Sequence, residues 1–375
     1  MLTMLKKLAA AVALAFGVLM ALAPAALACG GLVAPDGDVR LDRAATLIAW
    51  HDGIEHYMTS FAYQGNESSI GWITPLPAVP LSIQEGGAWT LQRLSREVHP
   101  QPKDAVGVAE SAAAPVDVLQ QVQIEALNIT VVRGSGPAIV GWARSNGFFV
   151  DDETAAHLAV YAKGSPIFMA AKYDTSAAQA RGQIVGDGVP ILITMKTAHP
   201  WVPLEVLALD GQQVHADLYF LTDEPLNISD MNAVIGQSAV GSQVPGAPGM
   251  TVAFQEQMNP SLYHDLSTDR NMSWVRPDGW LTYLSLDTPE NAVSYDLGVS
   301  SRGVIRLAPF GTPPMQVADD ASSSIPSWVP NLPLGTPEVV MTVLFILSVI
   351  GVLYFFFRRK PRAGHRAQLS AKPEK

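Results

Sequence analysis

The stretch ATLIAWHDGIEHYMTSFAY, residues 45–63, contains two apolar runs that flank a turn. Residues 45–50 and 54–63 are rich in the β-branched, aromatic and other apolar side chains that strands favour. Asp52-Gly53 between them is a strong hairpin signal, because both residue types tolerate the positive φ angles of a type I′ turn. The stretch therefore predicts an antiparallel β-hairpin and makes β-sheet the main element of the fold.

The sequence on the C-terminal side of this hairpin predicts further strands and a few helices. Helices are predicted at 89–98, at 137–145 with a left-handed cap at Asn146-Gly147, and from a cap at Asp151 and Asp152 to residue 162. Strands are predicted at 69–74, 119–132, 167–173, 191–196, 204–209, 214–222, 280–286 and 304–307. The helices cluster in the middle and do not alternate with strands. The predicted fold class is therefore α+β, a mainly antiparallel β-sheet domain with a few helices, plus one C-terminal transmembrane helix.

The N-terminal segment has the pattern of a secretory signal peptide, predicted to span residues 1–28. Lys6 and Lys7 precede an apolar run at 8–23, and Ala26-Leu27-Ala28 supplies the small residues of a cleavage site. Cleavage there would make Cys29 the first mature residue. Lipidation of Cys29 is an alternative, although Ala26 and Leu27 reverse the usual order of the lipoprotein signal.

Near the other end, VVMTVLFILSVIGVLYFFF, residues 339–357, contains no charged side chain. At about 1.5 Å per residue, a helix of this length matches the thickness of a bilayer hydrocarbon core. The basic tail at 358–375 follows directly, and this asymmetry predicts a cytoplasmic tail and an N-terminal domain outside the membrane. Processing by a sortase-like enzyme is the alternative to a permanent single-pass anchor.

Composition excludes several classes of protein. The chain is 48% hydrophobic, and residues 29–337 carry 32 acidic against 15 basic side chains, a net charge of −17. So acidic an exterior is a poor partner for nucleic acid. A single cysteine excludes a disulfide scaffold and a cysteine-ligated zinc site. Residues 29–308 are predicted to form one extracytoplasmic domain with a mobile loop at about 100–116, followed by a proline-rich stalk at 309–338.

Motifs for chemistry are scarce. The chain contains no Gly-x-Ser-x-Gly elbow and no glycine-rich phosphate loop, so no catalytic or cofactor-binding residue is assigned. His51 and His56 flank the predicted turn, and a metal site there is an alternative to ordinary polar residues near a turn. The acidic groups at 36–38, 151–153 and 223–224 invite a calcium interpretation, but none has the twelve-residue loop pattern. No metal or cofactor is therefore assigned.

Two tryptophans lie in proline-bounded motifs. Trp72 begins Trp-Ile-Thr-Pro-Leu-Pro, and Trp201 stands in Pro-Trp-Val-Pro. Core packing at strand ends is one explanation. The other is a surface groove for an extended peptide or a glycan, which makes Trp72 and Trp201 candidate ligand-binding residues.

Several of these features together resemble the DUF2330 family of secreted bacterial proteins of unknown function. The similarity rests on the start at Cys29-Gly30-Gly31 and on the order of the later pieces: GWITPLP at 71–77, Trp142 with NGF at 146–148, PILITM at 190–195 and PWVPL at 200–204. It spans about residues 29–209. Many relatives carry further cysteines after the first, and this chain has none. The resemblance implies fold and location and supplies no chemistry.

These observations lead to an expectation about function. We expect a membrane-anchored extracytoplasmic protein that serves as a binding, interaction or structural module, with an extracytoplasmic protein, peptide or glycan as its partner. The alternatives are a cell-surface hydrolase and a sensor that acts through a partner protein. Whether the protein is an enzyme is left open by the sequence, with a non-catalytic role favoured.

Overall fold

The computed structural model describes residues 31–33, 40–64, 69–99, 117–124, 127–174, 189–208, 213–236 and 239–317. The chain divides into two compact units, Met1–Ala233 with Gln237–Pro326 and Val234–Gly236 with Ser327–Lys375. Apart from Val234–Gly236, every described residue belongs to the first. The predicted signal peptide, Cys29, the 100–116 loop, most of the stalk, the 339–357 span and the basic tail lie outside the described residues.

The described residues form strands, short helices and two 3₁₀ turns. The strands are β1 (Gly31–Val33), β2 (Arg40–His51), β3 (Ile54–Gln64), β4 (Ser69–Pro75), β5 (Pro80–Glu85), β6 (Asp117–Ile124), β7 (Leu127–Arg133), β8 (Ile167–Asp174), β9 (Ile191–Lys196), β10 (Trp201–Val202), β11 (Gln213–Thr222), β12 (Met250–Gln257), β13 (Trp280–Pro289), β14 (Tyr295–Val299) and β15 (Ile305–Pro309). The helices are α1 (Thr90–Val98), α2 (Gly136–Ser145), α3 (Asp152–Gly164), α4 (Asp230–Ile235) and α5 (Pro260–Ser267), and the 3₁₀ turns are Glu205–Leu207 and Glu290–Ala292.

Three sheets organise these strands. A seven-stranded sheet has the order β12-β13-β11-β2-β3-β9-β5, a five-stranded sheet the order β1-β4-β8-β7-β6, and a small sheet the order β10-β14-β15. The strand pairs within the sheets are antiparallel except for β2 with β11, which is parallel. The prediction of a mainly antiparallel sheet with few helices is thus confirmed, and one sheet is mixed.

The seven-stranded sheet is buried on both faces. Because strand side chains alternate, Ile48 and Phe220 face a core shared with the five-stranded sheet, whereas Leu47 and Leu221 face a second core. Leu94 of α1 and Leu262 and Leu266 of α5 belong to that second core. The sheet therefore has a sheet-covered face and a helix-covered face.

The predicted hairpin is confirmed. Trp50 pairs with Glu55 and His51 with Ile54, and Asp52 and Gly53 have φ angles of 47° and 78°. These are the left-handed values that a type I′ turn needs. The turn places His51 and Ile54 at the end of the β2–β3 pair.

The caps predicted in the middle of the chain are also confirmed. Asp151 accepts a hydrogen bond from the Thr154 backbone N–H at 2.7 Å, and α3 begins directly after Asp151, at Asp152. Gly147, after α2, has a φ angle of +75°.

The start of α1 is stabilised by a residue far along the chain. The carboxylate of Asp269 accepts hydrogen bonds from the backbone N–H groups of Ala88 and Trp89, both at 2.9 Å, and from the Thr90 hydroxyl at 2.7 Å. Trp89, the N-cap residue, supplies no side-chain cap of its own. Asp269 therefore binds donors at the first residue of α1 and directly before it, and fixes the start of the helix where Trp89 supplies no cap.

Two expectations about the elements were wrong. Residues 119–132 form two strands, β6 and β7, that pair with each other as a hairpin. Residues 204–209 contain a 3₁₀ turn, Glu205–Leu207, where a strand was predicted. Among residues 309–317, Val317 is buried and Phe310 packs against the core.

No helix within the described ranges is long and apolar enough to cross a membrane. The predicted span at 339–357 lies outside those ranges.

Candidate functional site

A cavity of about 370 Å³ opens beside the β2–β3 turn, on the helix-covered face of the seven-stranded sheet. This volume is within the usual range for small-ligand sites. Its lining comes from both hairpin strands, from the end of β11, and from the segment between α5 and β13. The lining residues are Ala49, Trp50, His51, Asp52, Ile54, His56, Leu221, Thr222, Asp223, Met258, Trp274, Val275, Arg276 and Gly279.

The inner part of the cavity is apolar. Ala49, Leu221, Met258 and Val275 line it and are buried members of the helix-covered core. Strand alternation puts Ile54 and His56 on this face of β3. A ligand that enters the cavity therefore meets hydrocarbon at its inner end.

A polar network occupies the mouth. His51 Nδ1 lies 2.8 Å from both carboxylate oxygens of Asp223, and Arg276 Nη1 lies 3.0 Å from His51 Nε2. Arg276 Nη2 donates to Asp278 Oδ2 at 2.9 Å, and its Nε lies 3.8 Å from Asp223 Oδ1. These side chains are all at least one-third exposed, so the network faces solvent.

Whether His51 Nε2 carries a proton decides which neighbouring side chain this nitrogen can bind. A guanidinium only donates, so the contact with Arg276 requires an unprotonated Nε2 and a neutral ring whose Nδ1–H donates to Asp223. Asp52 Oδ2 lies 3.2 Å from the same nitrogen and would accept from it only if Nε2 carried a proton. The two contacts thus belong to different protonation states of His51.

His56 forms one wall of the cavity together with Trp274. Their rings stack with centroids 3.8 Å apart and an interplanar angle of 6°. His56 Nδ1 also lies 3.2 Å from the Thr194 hydroxyl. Burial lowers the pKa of His56 to about 4, so the ring is uncharged at neutral pH.

The sequence matches the model of the family described as "Uncharacterized protein conserved in bacteria (DUF2330)" over residues 23–257, well over half of the chain. The chain belongs to the DUF2330 family. The match covers the hairpin and Asp223, whereas Met258, Trp274, Arg276 and Gly279 follow its end. The cavity of this DUF2330 protein is therefore built partly from family sequence and partly from the region after it.

Comparison with other proteins adds little to the DUF2330 assignment. No curated protein matches the sequence. Two crystal structures of baculovirus P35 are similar over much of their length: one of P35 itself (TM-score 0.35, 6% identity, 75% of this chain and 94% of that chain) and one of a mutated P35 after caspase cleavage (TM-score 0.34, 7% identity, 66% of this chain and 92% of that chain).

The two tryptophans singled out from the sequence lie in the core. Trp72 on β4 is 2% exposed and Trp201 on β10 is 1% exposed. Neither lines the cavity, and the tryptophans that do are Trp50 and Trp274. The burial of Trp72 and Trp201 favours the packing explanation over a surface groove in this DUF2330 protein.

A group of buried carboxyl groups lies on the opposite, sheet-covered side of the hairpin. Asp296 Oδ1 accepts from the Tyr161 hydroxyl at 2.7 Å and from the Leu204 N–H at 3.0 Å, and Glu55 Oε1 lies 3.4 Å from the Trp201 backbone nitrogen. Burial raises the pKa of Glu55 to about 8 and that of Asp296 to about 7. Burial, with the nearby Asp296, also raises the pKa of Glu205 to about 8. Burial therefore favours the protonated, uncharged form of these three carboxyl groups, and none of them is among the cavity-lining residues.

The metal interpretations find no cluster in the described ranges. No group of three or more His, Cys, Asp or Glu side chains is placed there to hold a metal ion. His51 and His56 do lie in one cavity, but they bind different partners. Asp151 is a helix cap and Asp223 pairs with His51, while residues 36–38 lie outside the described residues.

Proposed function

We propose that this DUF2330 protein is an extracytoplasmic binding module, held at the bacterial membrane by residues 339–357, whose ligand occupies the cavity beside the β2–β3 turn. The observation that carries the proposal is the cavity itself, with an apolar inner part and a polar mouth. Such a division is typical of sites in which apolar contact supplies affinity and a few polar groups fix orientation.

The proposed location rests on the sequence. A signal-peptide pattern at 1–28 and a charge-free span followed by basic residues support a domain outside the membrane and a tail inside. A partner that the domain meets there is an extracytoplasmic peptide, protein or small molecule.

A cell-surface hydrolase is the second candidate, and one observation favours it. The His51–Asp223 pair at 2.8 Å resembles the base and orienting carboxylate of acid–base enzymes. However, Arg276 occupies Nε2 of the neutral ring, the nitrogen that would take a proton. The described cavity lining also includes no serine or cysteine, and the Thr222 hydroxyl donates to the Glu224 carbonyl at 2.7 Å. Binding is therefore the better supported function.

The first prediction concerns topology. A reporter that is active only in the cytoplasm should be active when fused after Lys375 and inactive when inserted at residues 112–115, because the two positions lie on opposite sides of the predicted span. Reporter activity in intact cells measures this. Equal activity at both positions would contradict the anchored arrangement.

The second prediction tests the cavity. A Cβ at Gly279 would meet Met258 Cε at 3.5 Å and the Thr222 and Arg276 carbonyl oxygens at 3.7 and 3.9 Å, which are ordinary contacts. Gly279→Leu should therefore be tolerated while its side chain fills part of the cavity. We expect the full-length variant to bind the neutral probe 3-phenylpropan-1-ol about tenfold more weakly than the unmodified protein, as measured by ligand-observed NMR.

Gly141→Leu is the matched control for this substitution. A Cβ at Gly141 would meet nothing within 4 Å, and the residue is exposed on α2, outside the cavity lining. This variant should bind the probe as the unmodified protein does. Equal binding by Gly279→Leu and Gly141→Leu would show that binding of the probe does not depend on the cavity. That result would contradict the proposed function.

A further inference from the structure

We propose that the ligand of this cavity carries a cationic group, an organic ammonium on an apolar body, with the cation at the acidic mouth and the apolar body against the inner wall. This inference rests on the proposed function, because it names the chemistry of the ligand that the same cavity binds. Three features of the described residues support it: the charge of the mouth, the aromatic side chain of Trp274, and the engagement of Arg276.

The mouth carries a net negative charge in both protonation states of His51. Asp52 and Asp223 line it, and Asp278 is bound to Arg276 at its edge. Arg276 beside it keeps the pKa of Asp278 below its usual value, so this carboxylate is ionised at neutral pH. Three carboxylates therefore face one positive charge when His51 is neutral and two when it is protonated.

An aromatic side chain supplies the second feature. Trp274 lines the cavity and is partly exposed, whereas strand alternation puts the indole of Trp50 on the sheet-covered face, beside its cross-strand partner Glu55. Indole faces attract cations, and the attraction strengthens where water is partly excluded. The stacked His56 adds no opposing charge, because its ring is neutral at neutral pH.

When His51 is neutral, Arg276 is the one positively charged group among the described lining residues, and it is already engaged. It contacts Asp278 at 2.9 Å, His51 at 3.0 Å and Asp223 at 3.8 Å. An anionic ligand would have to displace these carboxylates and would then lie beside them. A cation instead meets the exposed side chain of Asp52, which is 88% exposed.

The test compares matched probes on the full-length protein. 3-Phenylpropan-1-amine is the cation, 3-phenylpropan-1-ol the neutral analogue and 3-phenylpropanoate the anion. Nα-acetyl-lysine amide and Nα-acetyl-norleucine amide form a second pair that presents the same chemistry as a peptide side chain. We expect each cation to bind about fivefold to tenfold more tightly than its neutral counterpart, and the anion to bind most weakly. If the lysine amide binds more tightly than 3-phenylpropan-1-amine, the ligand is a peptide side chain, and the opposite order indicates a free amine.

Charge variants locate the effect. The double variant Asp52→Asn/Asp223→Asn should lose the preference for the cation and keep its affinity for the neutral alcohol. Asp152→Asn removes one carboxylate whose side chain is fully exposed and outside the cavity, and it should change neither affinity. Arg276→Gln should strengthen binding of the cation, because it removes the positive charge of the mouth.

The outcomes separate this inference from the proposed function. Binding of the neutral alcohol that Gly279→Leu weakens, without any preference for the cation, would overturn the charge inference and leave the cavity as a binding site. Tighter binding of the anion, lost in Arg276→Gln, would overturn it as well. If no probe binds the folded protein, the proposed function fails together with the inference.

Discussion

The full-length protein should be less stable at about pH 8.5 than at about pH 6.5, by roughly 2 kcal/mol from Glu55 alone. Burial raises the pKa of Glu55 from 4.5 to about 8, because its side chain is fully buried. A carboxyl group whose pKa is raised in the folded state binds protons more tightly there than in the unfolded chain. Its contribution to stability is therefore complete below pH 4.5 and is lost as the pH rises through 8.

The substitution Glu55→Gln tests this dependence, because glutamine keeps the shape and cannot ionise. Between pH 6.5 and pH 8.5 the melting temperature of the variant should fall by about 4 °C less than that of the unmodified protein. Thermal unfolding followed by circular dichroism measures it, and Glu256→Gln, at an exposed position on β12, is the matched control. The chosen range begins at the ordinary pKa of histidine, 6.5, so His56 contributes only about 0.4 kcal/mol, in the opposite direction and equally in both proteins. An unchanged pH dependence in Glu55→Gln would mean that Glu55 is ionised in the folded protein.

Local signals in the sequence were sufficient for the elements that carry their own turn or cap. Asp52-Gly53 predicted the hairpin, and Asn146-Gly147 and Asp151 predicted the two helix boundaries. The wrong prediction of one long strand at 119–132 is explained by the lack of such a signal. Glu125-Ala126, between β6 and β7, contains none of the glycine, proline, asparagine or aspartate residues that mark turns. The alternation of apolar and polar residues therefore predicted a single strand across this position.

Long-range pairing could not be predicted in this way. The parallel pairing of β2 with β11 joins segments that are far apart in the chain, and no local pattern specifies it. The same holds for Asp269, which caps α1 from about 180 residues further on.

The candidate site likewise combines residues that local signals predicted with residues that only long-range packing brings together. The hairpin brought His51 and His56 together as expected, but their partners come from elsewhere: Asp223 from the end of β11, and Trp274 and Arg276 from the turn before β13. Asp223 was noted in the sequence as half of an acidic pair. Its position directly after a strand is a usable signal, since strand ends often carry site residues. Nothing local assigned Trp274 or Arg276 to the same site.

The prediction with the largest expected effect on stability concerns Trp201, which the sequence also offered as a ligand-binding residue. Trp201→Ala should lower the free energy of unfolding by about 3–5 kcal/mol, because it removes a large side chain that is 1% exposed. Trp201→Phe should cost much less, since it keeps most of the bulk and removes an indole N–H that has no hydrogen-bond partner among the described residues. Chemical denaturation of the full-length protein measures both changes.

Trp89→Ala is the matched control, because Trp89 is 46% exposed and should lose far less stability than Trp201 when truncated. Under the packing explanation, Trp201→Ala weakens probe binding only by lowering the fraction of folded protein. When the variant and the unmodified protein are compared under conditions in which both are fully folded, they should bind the probe equally. A surface-groove role for Trp201 requires the reverse: unchanged stability with weaker binding of peptide or glycan. Because β10 holds the backbone nitrogen of Trp201 3.4 Å from Glu55, the packing explanation carries one further consequence. Trp201→Ala should also weaken the pH dependence of stability that Glu55 supplies, since the cavity it leaves lets water reach that carboxyl group.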